Sequence, residues 1–377
     1  MVFDANRFYS HVGYSDFSVV SLIELNTITI IYRYNIPMQS SFLVSVVIIT
    51  WNSKAYLSTC LDKLRAQTFR NFEVILVDNG SDDGALDGLI EKYPSLSLKT
   101  EQLETNHGFA VANNIGANLA HGDWLVLLNA DAFPDPDWLE KMLQATVAYP
   151  EYSSFSSRQI QVNHPEYLDG AGDSYHVSGM AWRNKIGYPA NNYALKNIEV
   201  FSSCGAAALF ARDAFLEVGG FDENYFSYFE DVDLGFRLRL RGYRSLYVSD
   251  AIVHHVGSAT FGTLSDFAFY HTHRNLVWTF YKNMPTSLFW RYLPAHIITN
   301  LIYVLYYTFR GRGKVLWKAK WDALRGLPKI YKQRKKIQKN RKATNAELLQ
   351  VMERGWLQPF LISYRLQKVL ASPQRNK

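Results

Sequence analysis

The feature that most constrains this chain is a set of short apolar runs that each end in a polar triplet. VSVVIIT runs into Thr50-Trp51-Asn52, FEVILVD into Asp78-Asn79-Gly80, and DWLVLLN into Asn129-Ala130-Asp131. Between them lie stretches of helical periodicity around Leu57, Leu61 and Leu64, from Leu86 to Tyr93 and from Phe109 to Ala120, with a short strand at Leu96 to Thr100. Near-continuous apolar runs that alternate with amphipathic helices predict parallel strands buried on both faces and joined by crossover helices. Open parallel sheets bind ligands beyond the carboxyl ends of their strands, so the three triplets are the first candidate for a site. The pattern GxxxxGK[ST] is absent, and so is GxGxxG after the first strand, which argues against a phosphate-cradling NTPase and a dinucleotide dehydrogenase.

After Pro150 the pattern becomes irregular, with turn residues and aromatics through LDGAGDSYHVSGMAWRN, as a variable acceptor region would look. A further strand and helix follow in AAALFARDAFLEVGGFDE, and a helix is predicted to start near Asp231, with Leu234 and Leu238 on one face. Cys60 and Cys204 are far apart and show no metal-ligand spacing, so neither a disulfide framework nor a zinc site is expected. No cleavable signal peptide is expected in residues 1–37, which read as an upstream extension.

The net charge of +6 conceals an asymmetry. Residues 310–342 carry fourteen Lys/Arg against the single acid Asp322, a local charge of about +13, which leaves the remainder near −7. An acidic body suits a divalent cation, and a basic tail suits an anionic surface. The tail follows Tyr292 to Phe309, eighteen residues without a formal charge. That length reaches the lower bound of a membrane span, but Pro294, His296 and Asn300 favour an amphipathic stretch lying in the membrane interface. A nucleic acid is not expected as partner.

Five blocks, VSVVIITWN, VDNGSDDG, NHGFAVANNIG, LLNADAFPDPDWL and GGFDENYFSYFEDVDLGFRLRLRGYR, occur in the order and spacing of family-2 glycosyltransferases. The resemblance runs from about Val44 to Pro285 and is most similar to bacterial rhamnosyltransferases of that family. It implies a GT-A fold, a mostly parallel central sheet flanked by helices, with a C-terminal helical membrane-associating extension. The domains expected are an N-terminal extension over residues 1–40, a catalytic domain over 41–285 and a basic helical region over 286–377. The implied activity is inverting transfer of a sugar from a nucleotide diphosphate to a lipid-linked or polysaccharide acceptor, peripherally, at the cytoplasmic face of the inner membrane. L-Rhamnose from dTDP-L-rhamnose is the expected donor. A UDP-hexose or UDP-N-acetylhexosamine, or an inactive nucleotide-sugar-binding homologue, stays open as an alternative.

The resemblance also assigns roles to residues. Thr50, Asn52 and Asp78 line the nucleotide pocket, and Asn106, Phe109 and Asn113 belong to the loop over ribose and diphosphate. Arg274 is expected to contact diphosphate oxygens, as its planar guanidinium suits them. Asn129-Ala130-Asp131 stands where the family carries DxD, with asparagine in the first place. Asp131 is left to hold Mg²⁺ or Mn²⁺ against the donor, with His254 or His255 completing the metal shell. Asp231 is expected to be the general base that deprotonates the acceptor, supported by Glu230.

Overall fold

The computed structural model describes residues 42–257 and 265–362. By internal contacts the chain divides into residues 1–39 and 40–377, and every described residue belongs to the second unit. The expected N-terminal extension over residues 1–40 lies outside the described residues.

The first half realises the alternation read from the sequence: β1 (Val44–Thr50), α1 (Lys54–Arg65), β2 (Phe72–Asp78), α2 (Leu89–Lys92), β3 (Leu98–Gln102), α3 (Phe109–Leu119) and β4 (Trp124–Asn129). β4, β1, β2 and β3 pair in parallel in that order. β1 and β2 are apolar almost throughout because helices cover both faces, and Val47, Ile75 and Leu127 pack in one core with Ala110, Ala112 and Ala117 of α3. Gly116 permits this approach: a Cβ there would stand 2.3 Å from Val47. β3 ends the sheet, and its exposed LKTEQ carries the charges that protect an edge from unwanted pairing.

The second half continues with β5 (Ala132–Pro134), α4 (Trp138–Ala148), β6 (Ser154–Gln161), β7 (Leu168–Gly170), β8 (Asp173–Tyr175), β9 (Ala181–Arg183), β10 (Ile198–Val200), β11 (Ala207–Ala211), α5 (Arg212–Glu217), α6 (Glu230–Leu240) and β12 (Ser245–His255). The sheet order is β10-β12-β6-β11-β4-β1-β2-β3. β11 is antiparallel to both β4 and β6, and β6 is parallel to β12, so β6 and β12 point the same way as β1–β4. The carboxyl ends of β4 and β12 therefore share an edge with the start of β11.

β6 lies within the stretch read as irregular. SFSSRQIQ is polar, yet almost all of it is buried. Two of its three hydroxyls are paired inside the protein, Ser154 with Ser245 at 2.6 Å and Ser157 with the Trp138 indole at 2.9 Å, which offsets the cost of burying them. Polar composition hid a central strand.

Four helices follow, α7 (Asp266–Asn283), α8 (Thr286–Phe309), α9 (Gly313–Lys339) and α10 (Asn345–Val351), and residues 358–362 are helical as well. α9 packs along α7, with the Trp278 indole donating to the Ala323 carbonyl at 2.9 Å. Buried Asp233 of α6 ties α7 to the sheet domain by accepting from Lys282 (2.8 Å), Asn283 (2.7 Å) and Arg237 (2.8 Å). Among the described residues no helix is long and apolar enough to cross a membrane.

Candidate active site

A cleft of about 450 Å³ opens on the shared carboxyl edge, lined from the first half by Asn52, Asn79, Asn106, Phe109 and Asp131 and from the second by Asp169, Asp173, Arg183, Glu230, Asp231 and His255. A larger groove of about 1270 Å³ runs past Glu199, Arg244 and Lys342, and none of the residues expected in the site lines it.

On the side expected to hold the nucleotide, the loops after β1, β2 and β3 are tied together. Asn52 has a left-handed backbone (φ 50°), receives the Asp82 N–H on its side chain (3.0 Å) and donates its own N–H to Ser81 (2.9 Å). Asn79 donates to Asn106 at 3.0 Å and accepts from the His107 N–H at 2.9 Å. Asn106 in turn accepts from the Gly108 N–H at 2.8 Å. Gly108 (φ 89°) has no room for a side chain, since a Cβ would lie 2.7 Å from Phe226. Thr50 and Asp78 are buried behind this rim, and Asp78 accepts from the Ser81 hydroxyl. Asn113 is also buried and donates to the Phe109 carbonyl inside α3 at 2.9 Å. The structure thus brings Asn52, Asn106 and Phe109 to the cleft and leaves Thr50, Asp78 and Asn113 beneath it.

On the acidic side, the antiparallel pairing of β5 with β12 sets Ala132 opposite His255 and so brings Asp131 beside the imidazole. His255 Nδ1 lies 2.8 Å from Asp169, and Nε2 lies 3.3 Å from Asp131 without forming a hydrogen bond. Asp169 also binds Arg183 at 2.5 Å. Burial alone would raise the Asp169 carboxyl and depress the imidazole, but the charges win. Arg183 and His255 hold Asp169 down at about 2, while Asp131 and Asp169 lift His255 to about 9. His254, one residue earlier on the strand, faces the other way and meets Asp135 at 3.2 Å. Of the doublet, only His255 joins Asp131.

Glu230 and Asp231 open α6. Asp231 accepts from the Gly205 N–H at 3.2 Å and from the Val232 N–H at 2.8 Å, which fixes its carboxylate at the cleft wall. Glu230 is buried with one oxygen unpartnered among the described residues. Burial, and then the neighbouring Asp231 charge, push its carboxyl well up, which favours a protonated Glu230. The loop before the pair is strained: Phe226, Tyr228 and Phe229 all have positive φ, a conformation that costs about 1–3 kcal/mol per non-glycine residue. Asn275 holds it by donating to the carbonyls of Tyr225 (3.1 Å), Ser227 (3.0 Å) and Tyr228 (2.7 Å). Arg274 donates to the Asn224 and Tyr225 carbonyls at 3.1 and 2.9 Å, so its guanidinium supports this loop and does not line the cleft.

The residues present fit a divalent cation. His255 has a buried nitrogen with no hydrogen-bond partner, oriented by a carboxylate on its other nitrogen and adjacent to the Asp131 carboxylate, and a cation bound there would displace the proton that the two carboxylates hold on the ring. A second donor group, Asp173, Cys204 and Asp231, brings one ligand atom from each residue within 4.8 Å of the others. Arg183 pairs with Asp173 across β8 and β9 and supplies a compensating positive charge there.

Sequence reasoning placed Asn79 in a candidate triplet without giving it a role, and it missed Asp169, Asp173 and Arg183. The signal for these three was LDGAGD with its two acids four residues apart, followed across a turn by the arginine of MAWRN.

Residues 45–219 match the family described as glycosyl transferase family 2. The chain is 31% identical over 242 residues to the N-acetylglucosaminyl-diphospho-decaprenol L-rhamnosyltransferase of Mycobacterium tuberculosis, covering 57% of this chain and 76% of that protein. It is 28% identical over 237 residues to the O-antigen biosynthesis protein RfbC of Myxococcus xanthus, covering 59% of this chain but only 18% of the other. In fold it is similar to GalNAc-T7, solved with UDP, GalNAc and Mn²⁺, at a TM-score of 0.52 and 19% identity over 64% of this chain and 48% of that one. The chain therefore belongs to glycosyl transferase family 2 and has a GT-A type fold, a mixed α/β architecture around a largely parallel central sheet.

Proposed function

We propose that this glycosyltransferase moves L-rhamnose from dTDP-L-rhamnose, with inversion, onto a lipid-linked acceptor used in polysaccharide synthesis, working peripherally at the cytoplasmic face of the inner membrane. The observation that carries this reading is the meeting of two sets of groups in one cleft: Asp131 with His255, and Glu230 with Asp231. The name of the mycobacterial relative supports the choice of sugar and acceptor class.

Asp131 and His255 would hold Mg²⁺ or Mn²⁺, which when bound neutralises charge on the leaving diphosphate. The chain's own groups do the rest. Asn79 and Asn106 shape the nucleotide rim, and the Asp169 carboxylate keeps the His255 ring oriented. Asp231, fixed by the Gly205 and Val232 N–H groups, takes the acceptor proton as the acceptor oxygen bonds to the anomeric carbon and the bond to diphosphate breaks. Glu230 remains protonated beside it, so the pair does not place two full charges in a buried wall.

The test is nucleotide release by the purified full chain from a panel of dTDP- and UDP-sugars, with Mn²⁺ and a polyprenyl-diphosphate-linked N-acetylglucosamine as acceptor. Acceptor-dependent release from dTDP-L-rhamnose is expected. Release from a UDP-sugar alone would replace the donor assignment, and release from none would overturn the reading.

A further inference from the structure

Helix α8 is built the wrong way round for water. A surface helix ordinarily turns its polar stripe outward, yet here His296 and Thr299 are buried while Ile297, Leu301, Leu305 and Phe309 are exposed, Phe309 at 89%. These four recur at four-residue steps, so they lie along one face, and no residue between Arg291 and Arg310 is charged. Monomers in water rarely leave contiguous apolar patches beyond a few hundred Å² exposed.

Two neighbouring segments extend the face. The Tyr303 hydroxyl donates to the Pro359 carbonyl at 3.1 Å and its ring stacks on Phe360, which lays the segment after α10 along α8. That segment exposes Trp356 at 81%, with Leu357 and Leu361. Beyond the turn at Gly311, α9 presents Trp317, Trp321 and Leu324 as an exposed stripe. One residue further round the same helix, Lys318, Arg325, Lys329, Lys332 and Lys336 form a cationic stripe. The only acid of α9, Asp322, is already paired with Lys318 at 2.6 Å. Tryptophans bordered by basic side chains are the composition of a membrane interface, where the indole sits at headgroup depth and the charge meets anionic lipid.

We propose that the exposed face of α8, the tryptophan stripe of α9 and the Trp356–Leu361 strip together seat in the headgroup–acyl boundary of an anionic bilayer. α8 lies in the membrane plane and the basic stripe of α9 rests on the headgroups. The occupant is a lipid surface because the apolar face adjoins a strip of one sign of charge, which a second copy of the same basic face would repel. This deepens the peripheral location proposed above and rests on it.

The test uses the full chain with vesicles of phosphatidylcholine alone or with added phosphatidylglycerol, followed by co-sedimentation and by quenching of tryptophan fluorescence with brominated lipid. Binding at least about tenfold stronger to the anionic vesicles is expected, weakening with salt, with Trp317 and Trp321 quenched. Leu301→Glu combined with Leu305→Glu should lower vesicle binding by about tenfold or more while leaving the melting temperature and donor-nucleotide binding unchanged. Equal binding by this variant and the native chain would overturn the proposal. So would a dimer in light scattering that the same substitutions dissolve without any vesicle binding. Vesicle binding with no sugar transfer from any donor would leave the surface standing and sink the functional reading. Transfer to a water-soluble acceptor without vesicle binding would do the reverse.

Discussion

The two halves of the sheet face one cleft but are held by different forces. From β1 to β4 the structure is an apolar sandwich, with side chains such as Val47 and Ile75 packed under α3, and polar residues appear where the strands stop. From β6 to β12 the interior is substantially polar. Ser154, Ser157, Asp169, Asp173, Asp233 and Arg239 are buried, and each is hydrogen-bonded or ion-paired. The first half is thus a scaffold that presents loops, while the second builds its chemistry into its own core. Such a core tolerates substitution poorly, because removing one partner leaves another buried and unpaired.

The largest expected effect lies in the second half. Asp231→Asn should retain donor binding yet lose transfer by roughly two to four orders of magnitude, the scale of a general base. Steady-state turnover beside donor titration checks this, and near-normal turnover would break the assignment. If Glu230→Gln gave the larger loss, the roles within the pair would be exchanged.

A smaller effect sharpens the contrast between halves. Asp169 does not reach Asp131 directly but orients His255, so Asp169→Asn should weaken Mn²⁺ affinity by about 10- to 100-fold. Asn79→Ala, in the first half, should weaken nucleotide binding and leave Mn²⁺ affinity unaltered. Calorimetric titration of each variant with Mn²⁺ and with dTDP decides the matter. Equal metal affinity in the native chain and Asp169→Asn would mean that the carboxylate does not position the ring.

The smallest effect concerns pH. Lys320 of α9 is buried, donates to the His273 carbonyl at 2.7 Å and to Asn300, and burial lowers it to about 7 from an ordinary 10.5. Between those values the unfolded chain binds the proton that the folded chain has lost, so Lys320 contributes stability that rises with pH, opposite in sign to His255, which keeps its proton up to about 9. That contribution grows by roughly 1–2 kcal/mol from pH 7 to 8.5. Lys320→Met should remove that contribution and so make the slope of stability against pH less positive than in the native chain, as read by denaturant unfolding, and an unchanged pH slope would show that the lysine is solvated.

The same difference decides how much was legible in the sequence. β1, β2 and β4 announce themselves because parallel strands covered on both faces leave uninterrupted apolar runs, and Asp131, Glu230 and Asp231 stand in motifs with recognisable spacing. β6 did not, since a polar strand whose buried Ser154 finds its partner Ser245 about ninety residues away carries no local signature. Asn113 sits in a recognisable block and Arg274 beyond the last of them, but one turns inward on α3 and the other supports the Phe226–Phe229 loop, choices made by tertiary packing. Between His254 and His255 only the register of β12 with β5 decides.

Asp131 and His255 are proposed as the cation end of a donor cleft, and one measurement tests this directly: calorimetric affinity of the full chain for dTDP in Mn²⁺ and in EDTA, for the native sequence and Asp131→Ala. The native chain should bind more tightly in Mn²⁺ than in EDTA, and Asp131→Ala should lose most of that difference while its affinity in EDTA stays close to native. A native chain that binds equally in both conditions, or an Asp131→Ala chain that keeps the full Mn²⁺ advantage, would contradict it.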